Sequence, residues 1–231
     1  WSMVSVFAKA NYTFDRRFLL EGTVRRDGSS RFGPGNKFGI FPSVAAGWNV
    51  HEEKFMKKAK WLNEFKLRAS YGLLGNENIG LYKYQALINS SNGNETTYGN
   101  PDITWEKVNM LNVGADIRIL KDLSLTFDYY NDVTKDLIME VQLPSNAGYS
   151  SQYQNLGQTT NRGVELSLNA NLVQTKDFYL DFNFNIAFNK NKVDALYGAN
   201  GDEMILSGGG TETGSDNYRV FVGQEVGLMY G

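Results

Sequence analysis

Residues 178–189 alternate without a break between apolar and polar positions. Phe178, Leu180, Phe182, Phe184, Ile186 and Phe188 share one parity, and Tyr179, Asp181, Asn183, Asn185, Ala187 and Asn189 the other. Successive side chains leave a strand on opposite faces, so this period of two predicts a β-strand with one apolar and one polar face. Strands in soluble proteins run about five or six residues. A tilted strand that crosses a bilayer needs about 9–11, apolar toward lipid and polar toward a wet lumen. This stretch has the longer length.

The signature recurs along the chain. Val4, Val6, Ala8, Ala10, Tyr12 and Phe14 oppose Ser5, Lys9, Asn11 and Thr13, and Phe18, Leu20, Gly22 and Val24 oppose Glu21, Thr23 and Arg25. Phe38, Ile40, Val44, Ala46, Trp48 and Val50 make a third apolar face; Phe65, Leu67, Ala69, Tyr71 and Leu73 a fourth. Leu111–Ile119, Leu123–Tyr129 and Val164–Leu172 repeat the pattern, and a weakly alternating stretch starts at Tyr218. About nine strands are expected. Residues 51–62 lose the alternation and suit a short helix.

Short connections (15–17, Lys121-Asp122, 174–177) take turns with long polar ones (28–36, 75–102, 144–160, 191–217). Outer-membrane barrels have short periplasmic turns and longer external loops. No charge interrupts the core apolar faces, where an Arg or Lys at mid-bilayer would cost roughly 2–4 kcal/mol. Tyr12, Phe14, Phe18, Trp48, Phe65 and Phe178 gather near the short turns, as in an aromatic girdle. Pro42 resists the pattern, because inside a strand it donates no ladder hydrogen bond. A soluble sandwich also alternates, with its two apolar faces packed together, so periodicity leaves both architectures open.

Composition conceals the barrel. Mean hydropathy is −0.39, and no window approaches the roughly 18 apolar residues of a spanning helix; barrel strands average out in such a scan. The net charge of −2 argues against a nucleic-acid surface. Absence of cysteine excludes disulfides, thiol catalysis and thiolate metal sites. His51 is the one histidine, which leaves no Ser-His-Asp triad or His cluster. No catalytic residue, metal site or cofactor is expected. The chain opens Trp-Ser-Met and closes Leu-Met-Tyr-Gly, and reads as an internal segment of a longer polypeptide.

Several features invite chemistry but have plainer explanations. Glu52-Glu53 and Asp202-Glu203 are adjacent loop carboxylates, more simply solvated charge than an acid–base pair. Gly208-Gly209-Gly210 lacks the strand–loop–helix setting of a phosphate cradle. Lys54, Lys57, Lys58 and Lys60 suit anionic lipid headgroups or a merely solvated face. The polar faces carry Glu21, Arg25, Lys66, Arg68, Asp116, Arg118, Asp128, Glu165 and Asp181. Such groups line a solute path, grip a plug, or pair across strands. Tyr82, Tyr84, Tyr98, Tyr149 and Tyr153 fall in long connections, where a ring with a polar tip suits substrate, a protein lid or mutual packing.

Ordered phrases along nearly the whole chain resemble the SusC/RagA family of TonB-dependent outer-membrane transporters of Bacteroidetes. They include Arg31-Phe32-Gly33, Gly39-Ile-Phe-Pro-Ser-Val-Ala-Ala-Gly-Trp48, Glu53-Lys-Phe-Met56, Trp61-Leu62 and Leu67-Arg-Ala-Ser-Tyr-Gly72. Gly75-Asn76, Ile79-Gly80, Asn100-Pro101-Asp102, Thr104-Trp105-Glu106, Asn112-Val-Gly114, Lys135-Asp136-Leu137, Asn161-Arg-Gly-Val-Glu-Leu166, Val222-Gly-Gln and Tyr230-Gly231 continue the series. The resemblance implies an all-β fold, a segment of a large antiparallel transmembrane barrel of about 22 strands with an N-terminal plug. Residues 1–231 would be a partial barrel domain, with plug, TonB box and final strands elsewhere. It also implies uptake of glycan or peptide fragments with a SusD-like surface lipoprotein and TonB, in the cell outer membrane, by a protein that is not an enzyme. The resemblance also makes Pro42 a normal family feature. Two other functions stay open at this point: a soluble or cell-surface carbohydrate-binding sandwich, and a passive porin.

Overall fold

Eight long strands hydrogen-bond in chain order into one antiparallel sheet. The structure is a computed structural model and describes residues 1–88, 95–120, 122–149, 151–196, 203–206, 218–226 and 228–229. The sheet starts with β1 (Met3–Phe14), β2 (Phe18–Ser29), β3 (Phe38–Asn49) and β4 (Leu62–Asn76). Two short strands, β5 (Leu87–Ile88) and β6 (Glu95–Thr97), intervene before β7 (Glu106–Ile119) and β8 (Leu123–Lys135). A small hairpin, β9 (Ile138–Gln142) and β10 (Ser151–Asn155), precedes β11 (Gln158–Gln174) and β12 (Tyr179–Ala195). The chain then forms β13 (Glu203–Leu206), β14 (Tyr218–Phe221) and β15 (Leu228–Met229).

The expected ninth strand, from Tyr218, is β14, and it pairs with β13 and β15 in a separate small sheet. Lys121, Asp202, Gly208-Gly209-Gly210 and Tyr230-Gly231 lie outside the described residues.

Up-and-down pairing of these strands puts the tight turns at 15–17, 120–122 and 175–178 at one end of the sheet, together with the 12-residue β3–β4 connection, and the β2–β3, β4–β7 and β8–β11 connections at the other. Cross-strand register keeps each apolar set on a common face: Leu168 faces Phe184, Ala69 faces Val113, and Leu20 faces Ala46. Phe182 is 47% exposed and Val113 44%. Among the described residues no second sheet covers this face, so it is not the inside of a sandwich. An apolar surface of this extent requires a nonaqueous neighbour, which a bilayer provides.

Pro42 needs no bulge. β3 pairs with β2 in unbroken register from Phe38 to Trp48, but with β4 only from Ser43 to Asn49. Pro42 therefore stands just past the last β3–β4 rung, and β4 loses nothing to it. Beyond that rung the Phe41 ring lies against the bare faces of Gly39 and Gly75. A Cβ on Gly39 would stand 2.3 Å from that ring and one on Gly75 2.0 Å, so both positions must stay bare.

Residues 51–62 are not an α-helix. A single 3₁₀ turn, Val50–Glu52, leads into a staircase of turns: Glu53 N–H donates to Val50 O, Met56 to Glu53, Ala59 to Met56 and Leu62 to Ala59. Close lysines disfavour a continuous helix, and the fold turns Glu53 to other partners. Its carboxylate accepts from Trp48 Nε1 at 3.1 Å and from Arg17 Nη1 at 3.2 Å. His51, at the foot of β4, accepts from Phe65 N–H through Nδ1 at 3.3 Å.

Candidate functional site

The polar face of the sheet carries paired charges. Arg68 on β4 donates through Nε to Asp116 on β7 at 2.8 Å, and through Nη2 to Asp128 on β8 at 3.0 Å. The second contact skips a strand. Gly114 of β7 stands in register with both Arg68 and Asp128, and a Cβ there would be 2.9 Å from Arg68 Nη2 and 2.5 Å from Asp128 Oδ1. Glycine thus opens a saddle through which the guanidinium crosses β7. Tyr130 repeats the device, donating from β8 over Gly163 of β11 to Asn189 Oδ1 of β12 at 2.9 Å.

Other charges of this face are simpler. Arg25 pairs with Asp27 at 2.7 Å, Arg118 with Glu64 at 3.4 Å, and Glu21 with Lys9 at 2.9 Å. Lys66 faces Asp116 in register. Glu165 and Asp181 are exposed. Glu165 lines an open concavity of about 600 Å³ with Arg25, Ser70, Asn112, Tyr130 and Asp132. Phe41, Leu73 and Met110 also line it, so charged, amide and apolar groups share it. No cluster of three or more His, Cys, Asp or Glu that could hold a metal occurs among the described residues.

At the long-connection end the loops fold into a cap with a core of its own. Phe32, Phe41, Ile79, Ile103 and Trp105 are buried together, with Leu73, Tyr84, Ile138 and Tyr153 packed against them. Trp105 lies 5.1 Å from Phe32 and 5.5 Å from Phe41 between ring centroids, and its Nε1 donates to Lys37 O at 3.2 Å. Next to it the buried Glu106 accepts from Ile138 N–H at 2.9 Å and from Asn76 Nδ2 at 2.6 Å. Asn155 clamps the β8–β11 connection to the β4–β7 connection, accepting from Thr104 N–H and donating to Thr104 O, both at 2.8 Å. Arg31 Nη1 donates to Ile79 O at 2.8 Å.

The five tyrosines divide by burial. Tyr84 and Tyr153 belong to the cap core; Tyr153 also donates to Glu140 at 3.1 Å and lies under Lys83 Nζ at 4.7 Å. Burial and the Glu140 charge together push its phenol above the usual range. Tyr98 and Tyr149 pair at 4.7 Å, with Tyr98 46% exposed, and Tyr82 is 57% exposed. The structure thus brings Tyr98 and Tyr149 together and leaves Tyr82 open to solvent. Sequence patterning missed the β9–β10 hairpin and the cap core; the phrases around Phe32, Ile79 and Trp105 were the available signal.

Residues 2–218 match the profile of a family described as TonB dependent receptor-like, beta-barrel. Among curated relatives, TonB-dependent receptor P3 of Formosa agariphila is 36% identical over 99% of this chain and 24% of its own length. TonB-dependent receptor SusC of Bacteroides thetaiotaomicron is 34% identical over 95% of this chain and 23% of its own. The structure of the RagAB peptide importer in its closed-closed state superposes with a TM-score of 0.85 at 31% identity, over 98% of this chain and 25% of that one. The chain therefore spans about a quarter of the length of the proteins it matches.

Proposed function

This chain belongs to the TonB dependent receptor-like β-barrel family, and from that premise we propose that it is a wall segment of an energy-coupled outer-membrane importer of glycan or peptide fragments. Residues 1–231 form part of the barrel domain, and the plug, the TonB box and the closing strands belong to the rest of the parent protein. A spanning sheet with two free edges leaves backbone groups unpaired, which hydrocarbon does not tolerate; the remaining strands complete it.

The observation that carries this reading is the division of the molecule into three zones. An exposed apolar belt faces outward, a charged and amide-rich wall faces inward, and a folded cap sits at the long-loop end alone. Arg25, Arg68, Asp116, Arg118, Asp128, Glu165 and Asp181 line the wall, against which a plug or a polar solute passes. Tyr82 and Tyr98 are the exposed rings best placed to meet substrate or a SusD-like lipoprotein lid, with the half-buried Tyr149 backing Tyr98. Tyr84 and Tyr153 hold the cap that presents them. No bond is made or broken, and the work of opening comes through TonB acting on parts outside this chain. Support for peptide cargo comes from the likeness to the RagAB peptide importer.

The test is uptake of labelled peptide and glycan fragments by cells carrying the full-length protein, with and without proton-motive force. Uptake that stops when the gradient is dissipated is expected. Undiminished uptake would mark a passive porin and overturn the energy-coupled reading.

A further inference from the structure

We propose that the β3–β4 connection, residues 53–61, is a docking site for anionic glycerophospholipid in the periplasmic leaflet. This rests on the outer-membrane orientation and is independent of what the barrel imports. Short turns of such barrels face the periplasm, which puts this connection at the level of the inner headgroups.

Three observations converge on it. The first is side. Trp48 stacks with Phe18 on the outward apolar face, ring centroids 6.2 Å apart, and Trp48 Nε1 donates to Glu53 at 3.1 Å. The connection therefore starts beneath the lipid-facing girdle and not inside the lumen. Its far end is fixed where Leu120 N–H of the β7–β8 turn donates to Trp61 O at 2.7 Å.

The second is charge. Lys54, Lys57, Lys58 and Lys60 are all exposed, and none makes an ion pair among the described residues. Glu53, the one acid of the stretch, is taken by Arg17 and Trp48. Four unneutralised ammonium groups are left on nine residues. The third is the apolar pair among them: Phe55 is 66% exposed and Trp61 54%. Lysine interleaved with exposed aromatics at the edge of an apolar belt fits a phosphate headgroup above an acyl chain.

The full-length protein in neutral detergent is titrated with phosphatidylglycerol or phosphatidylcholine, and bound lipid is counted by native mass spectrometry. Phosphatidylglycerol is expected to be retained preferentially. Replacing Lys54, Lys57, Lys58 and Lys60 together by Gln should weaken that retention about tenfold or more, in a protein whose heat-modifiable gel mobility is unchanged. Equal retention of the two lipids, or phosphatidylglycerol binding that survives the four substitutions, would overturn the site. A photoreactive phosphatidylglycerol on the unmodified protein needs no substitution. Adducts on residues 53–61 support the assignment, and adducts confined elsewhere refute it.

Discussion

At the scale of single residues, the polar wall depends on glycines that let long side chains reach past a neighbouring strand. Gly114→Ala puts a methyl within 2.5 Å of Asp128 Oδ1 and 2.9 Å of both Arg68 Nη2 and Phe127 O. Arg68 then cannot hold Asp128, and strand spacing resists the extra carbon. We expect a loss of about 1–3 kcal/mol, read as a lower unfolding midpoint of the full-length protein in detergent. Gly22 is the control, because a Cβ there meets nothing within 4 Å and Gly22→Ala should leave the midpoint within about 0.5 kcal/mol of the original. Equal effects would show that Gly114 marks flexibility and not a crossing. The ionic residues of this wall were legible in the sequence, but their partners were not. A charge three strands wide becomes visible only once register sets Arg68, Gly114 and Asp128 in one row.

Among the elements, alternation found every long strand but ended several too early. β7 begins at Glu106 and β8 runs to Lys135, whereas the alternating faces suggested Leu111 and Tyr129. β11 and β12 overshoot in the same direction. All these extensions lie at the long-loop end, above the apolar belt, where the outward face meets water or cap and selection for grease ends. Inside the belt the faces are strict. Phe184 sits near the middle of its apolar run, so Phe184→Arg should cost roughly 2–4 kcal/mol and block assembly in the membrane. Asn183→Arg, one residue along and facing the lumen, should assemble normally; heat-modifiability of both variants decides, and identical behaviour would contradict the assigned faces.

The extended ends also carry their own pH sensitivity. Asp194 stands six residues past Phe188, where the alternating apolar run of β12 ends. Burial pushes its carboxyl up, but hydrogen bonds from Thr160 and Gln158 and the nearby Lys192 outweigh that and hold it below its ordinary value of 3.8. A depressed folded pKa means the group stabilises the fold fully above that ordinary value and loses the contribution as pH falls further. Protection from hydrogen exchange at 158–160 and 190–195, taken relative to the intrinsic rate at each pH, should therefore fall as the pH drops below about 4. Asp194→Asn should remove the transition, and an unchanged profile in that variant would assign it to another carboxylate.

For the whole molecule, the question is whether belt and cap fold as one unit. Their stabilising contacts are different in kind. The belt is held by ladders and lipid contact, whereas the cap is held by a small aromatic core and by side chains such as Glu106 and Asn155 bonding to backbone. This is also why the cap was invisible to periodicity: Phe32, Ile79 and Ile103 sit in irregular segments with no two-residue pattern. Only the family phrases flagged the neighbourhood, and they could not say that Phe32 and Trp105 touch. Removing the largest ring of that core tests the separation. Trp105 is 2% exposed, so Trp105→Ala should cost the cap about 3–5 kcal/mol, more than a few loops of this size can absorb. The belt residues are untouched, and the barrel should still insert and stay heat-modifiable. Protease added to intact cells is then expected to cut within 77–86, 98–105 and 151–157 faster than in the unsubstituted protein. If the variant instead fails to insert, cap and belt form a single cooperative structure, and the loops are part of what closes the wall.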